Sequence, residues 1–148
     1  MALLYALLVV LIVAFLDHVK TLVVDYYTSK GRTWAEIPAF WKDASFPSWN
    51  EILFVLGLLL AGVHGPFTAA LFIILVAGGL EFILYWWTRP LVVSSPSPHE
   101  LKWRCPVRAP WLHLSLLPWW RKEGVPWWGA YLFSAASIIV SVLLWRIG

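Results

Sequence analysis

The chain has 148 residues, of which 61% are hydrophobic, 17% aromatic and only 13% charged, with a formal net charge of +3. Soluble domains carry roughly 25% charged residues, and here the apolar side chains also come in long unbroken runs. This excludes a disordered chain, a hydrated nucleic-acid module and an ordinary soluble globule; a single cysteine, Cys105, excludes a disulfide scaffold or a zinc ribbon built within the chain.

What fits is an all-α, small polytopic integral membrane protein, one membrane domain over residues 1–148. A spanning helix needs roughly 20 apolar residues to cross about 30 Å of hydrocarbon. The first run, Ala2 to Leu16, is apolar but short. Continued through Asp17, His18 and Lys20 into Leu22-Val23-Val24, it predicts a helix over residues 2–26. It has no basic residue before it and no small-residue cleavage site, so it is expected to be retained rather than removed as a secretory signal. Residues 30–47 follow as an interfacial segment. Within it Trp34, Ile37, Phe40 and Trp41 fall at helical spacing and predict a short amphipathic helix on the membrane surface.

Ser48-Trp49-Asn50-Glu51 reads as a capping box and opens a second helix over residues 49–64. At about 24 Å it is short for a span, and a re-entrant arm is the competing reading. His64-Gly65-Pro66 supplies a glycine stop followed by a proline suited to a first helical turn. A tight hairpin to a third helix, residues 67–87, is therefore expected, with Glu81 its only ionisable residue. Arg89-Pro90 is expected to end that helix. Residues 88–125 form a second interfacial segment, in which Trp111 to Trp120 is too apolar for a solvated loop and too short to span. The fourth helix covers residues 126–146, without a charge from Trp127 to Trp145.

The resulting expectation is four transmembrane helices, a tight hairpin between the second and third, and two cytoplasmic interfacial segments. Basic residues set the orientation. Lys20, Lys30, Arg32 and Lys42 lie before the second helix, and Arg89, Lys102, Arg104, Arg108, Arg121 and Lys122 before the fourth. Only Arg146 lies elsewhere. Four crossings place both groups on one side, and positive residues stay cytoplasmic, so both termini are expected outside the cytoplasm.

Eleven of the twelve tryptophans lie in or beside the two cytoplasmic segments. An aromatic belt normally lines both boundaries. The imbalance suggests a docking platform for protein or lipid head groups, made of Trp86, Trp87, Trp111, Trp119, Trp120, Trp127 and Trp128 with Arg121 and Lys122. Inside the membrane, Glu81 is expected to pair with Lys20 or His18, because an unpaired buried carboxylate costs several kcal/mol. Gly57 with Ala61, and Ala130, Ser134, Ser137 and Ser141, form small-residue stripes where helix backbones approach each other or a neighbouring subunit.

Chemistry has fewer footholds. No two of the four histidines stand three or four apart on one helix, which excludes zinc-protease and di-iron spacing. His18 and His64 fall on opposite sides of the membrane, which disfavours haem. No cofactor and no metal is expected. Cys105 beside Arg104 lacks a resolving cysteine or a base. His18 and Asp25 share a helical face, and His99-Glu100 approach from the second interfacial segment as acid–base candidates.

The leading expectation is a non-catalytic accessory or assembly subunit of a larger membrane complex. Its partners would be membrane lipids and other membrane subunits or further copies of itself, with no nucleic acid. The alternative is a lipid-head-group-modifying enzyme using His18, Asp25, His99 and Glu100. A third reading is a small proton-coupled carrier built on Glu81.

Overall fold

A computed structural model describes residues 1–42, 45–92 and 127–148. These residues are helical, with no strand among them. Five helices appear: α1 (Ala2–Ser29), α2 (Trp49–Val63), α3 (Pro66–Ala77), α4 (Leu80–Val92) and α5 (Trp127–Ile147). Two short 3-10 turns, Trp34–Glu36 and Ala39–Lys42, lie between α1 and α2.

α1 is the central element and packs on all four other helices. Its buried positions Ala6, Val9, Val10, Val13, His18, Thr21 and Val24 recur at helical spacing. The upper half of this stripe joins Leu53, Ala61, Leu71, Phe72 and Leu75 in the apolar core. α2 runs antiparallel to α1: Tyr5 and His64 meet at one end with ring centroids 4.9 Å apart. At the other end Lys20 Nζ reaches Asn50 Oδ1 at 3.5 Å. Gly57 lets α2 approach closely, since a Cβ there would lie 2.8 Å from Val13 Cγ2 and closer still to the Phe72 ring.

α1 and α5 are long and apolar enough to cross a membrane. α3 and α4 qualify only when taken together, as a third span bent by 73°, and α2 is shorter than a span. The packing of α5 is inside-out relative to a soluble protein. α5 buries Ala130, Ser134, Ser137 and Ser141 and turns Leu132, Ile139, Val140 and Leu143 outward. In water this would forfeit the hydrophobic effect, whereas in lipid the aliphatic side chains match their surroundings.

Three local expectations are corrected. The helix over residues 67–87 is not continuous, because the chain breaks at Gly78-Gly79, where Gly79 takes φ +78°. Only glycine enters that left-handed region without a steric penalty. A Cβ on Gly78 would overlap Ser137, so the break also lets α5 seat against the backbone, and Ser134 Oγ donates to the Gly78 carbonyl at 3.0 Å. A hydroxyl thus donates to a backbone carbonyl at the break. Arg89-Pro90 does not end the helix either; α4 continues to Val92, with Pro90 close enough to the end that few hydrogen bonds are lost. Finally, Trp34 to Trp41 form no amphipathic helix. Pro38 separates the two 3-10 turns, and Ile37 alone of the four apolar residues is fully buried.

Candidate functional site

The buried titratable side chains His18, Glu81, Tyr85 and Arg89 gather where α4 meets α1. The bend at Gly78-Gly79 swings α4 so that residues 81, 85, 88 and 89 all approach the single stretch 17–21 of α1. Thr21 Oγ1 and Tyr85 Oη share a hydrogen bond of 2.5 Å. His18 stacks on the Tyr85 ring at 4.4 Å and 26°. His18 Nε2 lies 2.9 Å from Thr88 Oγ1.

The tautomer of His18 follows from Thr88. Its one hydroxyl proton is committed to the Leu84 carbonyl at 2.8 Å, so its oxygen accepts and His18 Nε2–H donates. Nδ1 then carries a lone pair, buried and with no hydrogen-bond partner among the described residues. The Arg89 guanidinium, itself buried, stands within electrostatic reach of the imidazole.

Glu81 is buried in the first turn of α4. Asp17 and Lys20 lie within electrostatic reach of it. The arrangement therefore brings Glu81 and Lys20 into one neighbourhood, while the hydrogen bond of His18 goes to Thr88. Asp25 lies within electrostatic reach of Tyr85, one α1 turn beyond Thr21. Among the described residues no group of three or more His, Cys, Asp or Glu is placed to hold a metal ion. His99, Glu100 and Cys105 lie outside the described residues.

Sequence reasoning missed Thr21, Tyr85 and Thr88. Their signal was present as matching polar stripes, 18/21/25 on α1 and 81/85/88 on α4, each at helical spacing.

A second feature is aromatic. Trp87 is 62% exposed and Trp128 61% exposed. Trp87 Nε1–H donates to Tyr131 Oη at 2.9 Å and joins α4 to α5. Trp86 is half-buried, edge-on to Tyr85 at 5.5 Å. Phe40, Trp41 and Trp49 make a separate aromatic group at the start of α2, with Trp41 and Trp49 5.2 Å apart. Trp111, Trp119, Trp120, Arg121, Lys122 and the side chain of Trp127 lie outside the described residues.

The small-residue stripes are occupied within the chain. Gly57 faces Val13 and Phe72, and Ser134 and Ser137 face Gly78. Comparison of the chain with known protein families, with curated proteins and with solved structures finds no match.

Proposed function

We propose that the chain crosses the bilayer four times with both termini outside the cytoplasm, and acts as a non-catalytic accessory or assembly subunit of a larger membrane complex. The observation that carries this reading is how the polar groups are spent. His18, Thr21, Tyr85 and Thr88 bind one another across α1 and α4, as helix-joining contacts do in lipid. Outward, Trp87, Tyr131 and Trp128 form an exposed aromatic edge at the same end of the bundle. Tryptophan and tyrosine are the residues that most often anchor interfaces. Because the small-residue stripes are filled internally, this edge and the outer apolar faces are the surfaces offered to a partner, beside membrane lipid.

The four-crossing arrangement draws support from end-to-end contacts. Tyr5 meets His64 and Phe67 approaches Gly148 at one end; Lys20 meets Asn50 and Trp87 meets Tyr131 at the other. The basic residues Lys20, Lys30, Arg32, Lys42 and Arg89 accompany the second end, which the charge rule places in the cytoplasm.

Native mass spectrometry from the source membrane tests the subunit reading. Release in fixed stoichiometry with other chains is expected; release alone overturns it. A second reading, chemistry on a lipid head group, is favoured by one observation, the bare Nδ1 of His18 beside Arg89. It requires that His18→Gln abolish turnover of a phospholipid while leaving the helical circular dichroism intact.

A further inference from the structure

The contacts between helices define two levels across the bundle. At the outer level the Tyr5 ring meets His64, Thr68 bonds His64 at 3.2 Å, and Phe67 approaches Gly148. At the inner level Lys20 reaches Asn50 and Glu81 senses Lys20. The rise of 1.5 Å per residue gives the separation. From Tyr5 to Lys20 it is about 22 Å and from Asn50 to His64 about 21 Å. The hydrocarbon of an ordinary bilayer is about 30 Å thick.

The two sides of the molecule meet this thickness differently. α1 continues past the inner level with Leu22 and Tyr26 exposed, and α5 carries Trp128, Tyr131 and Leu132 exposed near its start. α5 in full measures about 31 Å. α2 has no such extension. It opens on half-buried Trp49 and Asn50 and exposed Glu51, whose carboxylate accepts the Ser48 N–H at 2.7 Å, and it closes on exposed His64. Between them Ile52, Val55, Leu56, Leu59 and Val63 face outward. Moving Glu51 or His64 into hydrocarbon to cover the missing 9 Å or so would desolvate an ionisable group. The Phe40-Trp41-Trp49 rings stand at the same level as Glu51, as interfacial aromatics do.

We infer that the α2 face seats against lipid of short acyl chains, and that the chain thins the bilayer on that side to about 21 Å while α5 keeps the full thickness on the other. α1 and α3 stand between α2 and α5, packing on both. The thickness step therefore runs across a single small bundle. The occupant of the α2 face is lipid, and a covering protein subunit is the outcome that contradicts it. The inference rests on the proposed four-crossing arrangement, in which α2 spans the bilayer, and stands or falls apart from the subunit reading.

The full chain is reconstituted in phosphatidylcholine vesicles whose monounsaturated chains run from roughly 14 to roughly 22 carbons. Its unfolding midpoint is followed by tryptophan fluorescence. The midpoint is expected to be highest in the two shortest lipids and to fall steadily with length. A doubly substituted chain, Asn50→Leu with Glu51→Leu, lengthens the apolar stretch of α2 and is expected to move the optimum toward longer lipids, whatever its absolute stability. An optimum at 18 carbons or more for the native chain, a midpoint independent of chain length, or an unshifted optimum in the variant each overturns the inference.

Discussion

Gly79 illustrates how much one backbone angle decides. Its φ of +78° costs an L-residue roughly 1–2 kcal/mol, so Gly79→Ala is expected to lower stability by about that amount, read as a shift in an SDS or thermal unfolding midpoint. Gly78 acts through contact instead. Gly78→Ala drives a methyl into Ser137, with an expected loss of about 1–3 kcal/mol. Ser137→Gly in the same chain should recover part of it, since the pair is in direct contact. Glu36 offers a residue-scale test in water. The Thr33 backbone N–H at 2.7 Å holds its carboxyl below the usual glutamate value, helped by Arg32 at 3.0 Å and the Thr33 hydroxyl. Because the folded value is the lower one, these contacts favour the turn above the unfolded value and are lost as pH falls through the folded one. An NMR titration should find Glu36 below a glutamate in an unstructured peptide, and Arg32→Ala should move it upward.

At the scale of elements, the α1–α4 junction is one unit. Tyr85→Phe and Thr21→Val each remove one side of a buried hydrogen bond and are expected to cost about 1 kcal/mol. The double variant should fall short of the sum, with a coupling of about 0.5–1.5 kcal/mol by a double-mutant cycle. Additivity would mean that the bond contributes nothing beyond its two parts. Much of this scale was legible from the sequence. Long apolar runs announced α1 and α5, because lipid demands an unbroken apolar length and little else produces one. The Ser48–Glu51 cap marked the start of α2, where the Ser48 N–H does reach Glu51. The break between α3 and α4 was not legible, since Ile73 to Val76 and Leu80 to Leu84 read as one apolar run across it, interrupted only by Glu81. A glycine pair signals close approach and bending with the same letters. Only the neighbour that fills the space, Ser137, decides between them.

For the whole molecule, buried polar side chains join helices around an apolar core, and Trp87 and Trp128 stand exposed at one end. Trp87→Ala with Trp128→Ala is expected to leave the apolar core intact, because both rings are exposed. If the aromatic edge anchors a partner, the pair should reduce recovery of the heteromeric complex at least tenfold, an interface loss of about 1.4 kcal/mol or more. Circular dichroism should stay unchanged. Full recovery would remove the edge from the interface. The site as a whole was only half readable. The sequence pointed to Glu81, Lys20 and His18 as unusual for a membrane interior, and the structure gathers them at one junction. It did not reveal that Thr88 takes the His18 hydrogen bond, which depends on a bend that no pattern of hydropathy encodes.

That bend has a consequence for biogenesis. The Gly78 carbonyl emerges from the ribosome 56 residues ahead of the Ser134 hydroxyl that later donates to it. Until then the hinge lacks that bond, and water or an insertion factor can take its place. Translation speed between those two codons thus sets how long the half-made hinge stays provisional, and a pause there should prolong crosslinking of nascent Gly78 to the insertion machinery.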